Sequence, residues 1–259
     1  MCAVSYLNTV PLVWGLVHSP DPDLRNTFDL QFALPSACAD QLAHGQADIG
    51  IVPVIEMARQ SLDYFPGTGI ACHGPVRSIL LIAKVPFKEI RTLATDSGSR
   101  TSAMLAQVIL TERFGVRPQV FSHPANLTEM LDKADAALLI GDAALRVDPA
   151  TLPFETLDLG AEWVAMTGLP MVFAVWAGRK QIVREPYGRI FLESCRYGLA
   201  HMDELVRTEA PARGFPEDLV RTYLTRHIVF ELGERDLEGM QLYLKLALAM
   251  DRVQEGISA

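Results

Sequence analysis

The chain has 259 residues, 49% of them hydrophobic and 21% charged, which describes an ordinary globular protein of one large or two medium domains. A formal charge of -8, with Lys and Arg scattered singly or in pairs, excludes a general nucleic-acid binder but leaves room for a small anion held by a local pair of arginines. Cys2, Cys38, Cys72 and Cys195 show no metal-ligand or C-x-x-C spacing, no basic region followed by an apolar stretch opens the chain, and no apolar run could span a bilayer, so a reduced, cytoplasmic protein without membrane contact is expected.

In chain order, "VSYLNTVPL" (residues 4–12) reads as a strand ending at Asn8, with Thr9 and Pro11 opening a helix at the strand's C-terminal edge, where open α/β sheets keep ligands. Residues 28–56 then give a strand, a helix capped by Ser36 and closed by Gly45, a buried strand through Ile49, Ile51 and Val52, and a helix in which Glu56 is structural. Residues 117–145 repeat the pattern, a strand, the helix around "NLTEMLDKA" and the strand "DAALLIGD". Two similarly built α/β halves with parallel sheets and right-handed crossovers follow.

The apolar strands "GPVRSILLIAK" (74–84) and "LPMVFAVWAG" (169–178) are read as the links between the halves. Crossings near Lys84 and Val175 predict a first lobe of residues 1–84 and 176–259 and a second of 85–175, with the ligand cleft between them. From about residue 180 the chain reads as helical, "PEDLVRTYLTRHIVFEL" included, and these helices are expected to pack on the first lobe.

The densest polar cluster is "LATDSGSRTSAML". A strand ends at Asp96, a turn Ser97-Gly98-Ser99-Arg100 follows, and a helix starts at Thr101-Ser102. Free N–H groups, a glycine allowing close approach, hydroxyls and a forked cation together point to an anion site. Arg77 and Ser78 alternate along a strand, so only one faces the cleft; Ser78 is preferred, with Arg77 as a structural ion-pair partner. Gly141 and Asp142 lie just past a buried strand, where Asp142 is either an N-cap or a substrate acceptor and base. Cys72-His73 is not read as a thiol and its base, because neighbours on an extended chain point apart and no orienting acid is identifiable. The six histidines show no paired metal spacing.

Six stretches in order, "SYLNTVPL", "ADIGIVPVIE", "GPVRSILL", "TDSGSRTSAML", "LLIGDAAL" and "DLGAEWVAMTGLPMVFAVW", resemble the menaquinone-biosynthesis family that includes chorismate dehydratase. They cover residues 5–176, while the C-terminal helices match only in kind. The resemblance implies an α/β, two-lobed, type II periplasmic-binding-protein-like fold and an enzyme that dehydrates chorismate by the futalosine route without cofactor or metal. It implies a substrate contact at Asn8 and a base that is either Asp142 or a carboxylate of the substrate. The expected binding set adds Ser5, Ser36 and Met171 to Ser78, Gly141 and the Ser97–Ser102 turn. Only four residues precede Ser5, fewer than family members usually carry, so either a short first strand or a misassigned start codon is expected. A sister enzyme of the pathway opens with a Cys-Pro-Asn-Asp-Thr type motif, which "SYLNTVPL" is not. A solute-binding protein and the effector domain of a regulator are the rivals from other classes; no helix-turn-helix supports the second. The oligomeric state is left open.

Overall fold

The computed structural model describes residues 1–257, with side chains to residue 252. Residues 258 and 259, placed by the sequence in the first lobe, lie outside the described residues. The chain opens with β1 (Cys2–Val4), a 3-10 turn at Leu7–Thr9, α1 (Val10–His18), α2 (Pro22–Arg25), β2 (Gln31–Ala33), α3 (Pro35–Ala43), β3 (Ile49–Pro53), α4 (Ile55–Arg59) and β4 (Asp63–Cys72). It continues through β5 (Ile79–Ala83), β6 (Thr92–Asp96), α5 (Thr101–Phe114), β7 (Gln119–His123), α6 (Leu127–Lys133), β8 (Ala136–Ile140), α7 (Gly141–Leu145), β9 (Glu155–Asp158) and α8 (Leu159–Thr167). Then come β10 (Met171–Gly178), α9 (Tyr187–Ala200), α10 (Met202–Arg213), α11 (Glu217–Thr222), a π-helical turn at Tyr223–His227, β11 (Val229–Glu231) and α12 (Glu234–Ile257).

The strands form two sheets, ordered β2-β1-β3-β10-β4-β11 and β7-β6-β8-β5-β9. The first five places correspond. Each sheet has three strands joined by parallel crossovers, then a strand that comes from the other lobe, then one more. The duplication expected from residues 28–56 and 117–145 is therefore present. The all-parallel expectation holds only for those three strands, because β10 runs antiparallel to β3 and β4, and β5 antiparallel to β8 and β9. The reason lies in the direction of entry. β1, β3, β6 and β8 end at the cleft, whereas β5 and β10 begin there, having just crossed.

Sheet membership also moves the crossings. All of β5 pairs in the second sheet and all of β10 in the first, so the chain passes between sheets within residues 73–78 and again before Met171, not at Lys84 and Val175. β5 and β10 are buried along their whole length, as a strand covered on both faces must be. The C-terminal segment is not wholly helical, since Val229–Glu231 adds an edge strand against β4. On the first lobe, α9 packs against the sheet through Phe191, whose ring stacks on Trp176 at 4.4 Å. No helix of the described residues is long and apolar enough to cross a membrane.

Candidate functional site

A cavity of about 60 Å³ lies where the C-terminal ends of the two sheets face each other. The first lobe lines it with Val4, Tyr6, Asn8, Pro35, Pro53, Ile70, Phe173 and Ala174; the second contributes Ser78, Ile79, Gly98 to Ser102, Ile140 and Gly141. Its walls are mostly apolar, with a few convergent polar groups.

The turn after β1 is tighter than its sequence suggests. The strand stops at Val4, and Asn8 sits in the following 3-10 turn, not on the strand. Two contacts across the cleft fix this turn. The carboxylate of Asp142 accepts a hydrogen bond from the Leu7 N–H at 2.9 Å and pairs with Arg213 at 2.6 Å, and Arg213 also donates to the Ser5 carbonyl at 2.9 Å. The Tyr6 ring enters the second lobe between two glycines. A Cβ at Gly98 would lie 2.9 Å from the Tyr6 hydroxyl, and one at Gly141 would lie 2.7 Å from its ring. Gly141 also adopts φ +57°, which a side chain disfavours. Burial, with Asp96 and Asp142 nearby, pushes the Tyr6 phenol well above its usual range.

The turn after β6 was expected to hold an anion with its hydroxyls and Arg100, and much of that capacity is engaged by protein. Arg100 pairs with Asp40 at 2.6 Å and with buried Glu56 at 3.1 Å, tying α5 to α3 and α4 across the cleft. Ser99 Oγ accepts the Ala103 N–H at 3.1 Å, and Thr101 Oγ1 accepts the Ile55 N–H at 3.3 Å. The N–H groups of Thr101 and Ser102, at the start of a helix of 14 residues, still face outward along the helix axis by their position in its first turn. Asp96, just before the turn, is buried and accepts from the Gly98 N–H at 2.9 Å. Burial raises its carboxyl above the usual range.

The cavity thus gathers Asn8, Ser78, Gly98, Ser99, Arg100, Thr101, Ser102 and Gly141 from the expected set. Five others stand elsewhere. Ser5 is exposed and faces a different surface groove, Ser97 is exposed, and Met171 is buried at the start of β10 opposite Cys72, so Phe173 and Ala174 line the cavity instead. Ser36 does not cap α3, whose N-cap is Leu34, because Pro35 takes the first helical place; its hydroxyl donates to the Ser97 carbonyl at 3.4 Å. Asp142 does not cap α7 either, as Ile140 occupies the N-cap position, and its carboxylate is engaged by Leu7 and Arg213. Arg77 is structural, though not through an ion pair: it reaches the Ala144 and Val147 carbonyls at 3.2 and 2.6 Å, covering the end of α7. His73 does have an acid partner, Asp236 at 2.8 Å, but Cys72 is buried and its thiol is pushed up to about 12, so no nucleophilic pair forms.

The residues that sequence reasoning missed come mainly from the C-terminal helices. Tyr223 donates its hydroxyl to Ser78 Oγ at 2.8 Å, Tyr243 donates to the Thr101 carbonyl at 3.0 Å, and Arg213 holds the β1 turn. No local signal marks them, since aromatic residues at helical spacing read as core. Among the described residues, no group of three or more His, Cys, Asp or Glu could hold a metal ion.

Comparison with known proteins agrees with this geometry. The chain is 28% identical to a chorismate dehydratase of Thermus thermophilus over 83% of its length and 85% of the relative's, and 24% identical to one of Campylobacter jejuni over 96% and 97%. Its fold superposes on the periplasmic aliphatic sulphonate binding protein of Escherichia coli with a TM-score of 0.64 at 14% identity, covering 98% of this chain and 87% of that one. The architecture is therefore the two-lobed, periplasmic-binding-protein-like fold. The family model for menaquinone biosynthesis matches residues 1–249, and the chain belongs to that family.

Proposed function

We propose that this protein is a chorismate dehydratase, removing water from chorismate to give 3-[(1-carboxyvinyl)oxy]benzoate in the futalosine route to menaquinone, in the cytoplasm. The observation that carries the reading is the match to the menaquinone biosynthesis family over nearly the whole chain, joined to a cavity between the lobes with apolar walls and convergent polar groups. Chorismate is a dianion, and the N-terminus of α5 suits one of its carboxylates through backbone N–H groups and the helix dipole. Arg100, held by Asp40 and Glu56, lends that end of the cavity a cation already balanced by protein.

Loss of the C3 proton and the C4 hydroxyl makes the ring aromatic, which supplies the driving force. The C3 proton is vinylogous to the ring carboxylate, so donors on that carboxylate stabilise the carbanion-like transition state. Asn8 is half-buried at the cavity wall, and its buried Oδ1 has no hydrogen-bond partner. Leaving such an acceptor unmade is costly in a resting protein, and a ligand hydroxyl satisfies it. Asp142 is engaged in its ion pair and does not line the cavity, so we assign the proton abstraction to a carboxylate of the substrate.

The test is to incubate purified protein with chorismate and follow the product, lighter by one water, by mass-resolved chromatography. Enolpyruvyl-oxybenzoate forming faster than in the enzyme-free control supports the dehydratase. Chorismate-dependent thermal stabilisation without product would instead indicate a binding protein for a small carboxylate, the use to which its sulphonate-binding neighbour puts the same fold.

A further inference from the structure

Tyr223 belongs to the π-helical turn after α11, a backbone form that is rare and concentrates at functional sites. Its ring is fully buried, and its hydroxyl donates to Ser78 Oγ at 2.8 Å. The Asn8 side chain lies near the same phenol, where it counters the effect of burial. Asn8 Oδ1 is itself buried without a hydrogen-bond partner. Ser78, accepting from Tyr223, keeps its own O–H for another acceptor, and both Asn8 and Ser78 line the cavity.

From these contacts we propose that Tyr223 is a positioning residue, which holds the Ser78 hydroxyl beside the unpartnered Asn8 carbonyl so that the two recognise the leaving hydroxyl of the substrate as donor and acceptor. The inference rests on the dehydratase reading. A hydroxyl both gives and takes a hydrogen bond, whereas a carboxylate only takes, so the pair sorts the C4 hydroxyl of chorismate from its carboxylates. As the C–O bond breaks and its electrons pass to oxygen, the Ser78 O–H hydrogen bond to that oxygen strengthens. Tyr223 itself transfers no proton. Burial pushes its phenol above the usual range, so it stays protonated throughout.

The experiment is steady-state turnover of chorismate by the full chain and by Tyr223→Phe, Ser78→Ala and the double variant, each with a thermal melt. Tyr223→Phe is expected to lower kcat about tenfold with KM within about twofold, because the interaction it supports grows in the transition state. In the Ser78→Ala background the same change is expected to lower kcat by less than about twofold, since Tyr223 acts through Ser78. Additive losses, or wild-type kcat in Tyr223→Phe, overturn the proposal. So does a lowered melting temperature with kcat unchanged, which marks the hydroxyl as merely structural. A wild-type chain that leaves chorismate intact overturns the functional reading itself, and is distinguished from these outcomes by the parent protein alone.

Discussion

The turns after β1 and β6 occupy corresponding places in the two sheets, and each carries a polar cluster from a strand's cleft end into a helix. They present opposite chemistry. In the second lobe, Ser99 and Thr101 accept from protein and Arg100 pairs with acids, and what remains for a ligand is donors, backbone N–H and hydroxyl. In the first, the backbone is held by Asp142 and Arg213, and what remains is the Asn8 carbonyl. One turn offers donors and the other an acceptor, from a duplicated scaffold. The number of polar residues in a motif therefore measures how firmly a turn is built as much as what it binds.

This contrast can be broken in steps. Asn8→Ala should have the largest effect, lowering chorismate kcat by about a hundredfold or more, because the acceptor for the ligand's hydroxyl is lost. Unchanged kinetics would remove the first turn from the chemistry. Gly141→Ala forces a Cβ against the Tyr6 ring in a left-handed conformation and should cost about 2–4 kcal/mol, read by chemical denaturation. Stability equal to that of the parent would mean that Tyr6 does not need this seat.

Arg100→Ala strips one partner from buried Glu56 and should cost about 1–3 kcal/mol, most of it restored by adding Glu56→Gln. A raised KM with an unmoved melting temperature would instead assign the guanidinium to the ligand and make the second turn a direct cationic site. Asp142→Asn should move least. It keeps an acceptor for the Leu7 N–H and loses only the charge facing Arg213, so kcat should fall by no more than about threefold. A hundredfold loss of kcat would return Asp142 to the role of base.

The parts of the fold that were legible in the sequence are those whose cause is local. Ile49 to Val52 and Leu80 to Ile82 are continuous apolar runs because their strands are covered on both faces, and the repeat of strand, helix and strand shows as a repeat of pattern. Strand direction was not legible at β5 and β10, since the same residues suit either orientation and the choice depends on which lobe the chain has left. The Gly98 turn was found because a strand, a glycine and a helix start coincide within a few residues. Where its side chains bond was not, as Asp40, Glu56 and Ile55 lie far away in sequence. Tyr223 was hidden more completely. In its segment it alternates with Val220 and Leu224 as any core aromatic would, and only the fold brings its hydroxyl to Ser78.

The two ties across the cleft, Asp142 with Leu7 and Arg213 and Arg100 with Asp40 and Glu56, have a consequence for timing. Both must part before a molecule can enter or leave, and Tyr6 must withdraw from between its glycines. Exchange at this site is therefore governed by how often the lobes separate, on the microsecond-to-millisecond scale of such motions, and not by diffusional encounter. A product as tightly enclosed as its precursor waits for the same event, so the frequency of opening sets the ceiling on flux however fast the elimination becomes.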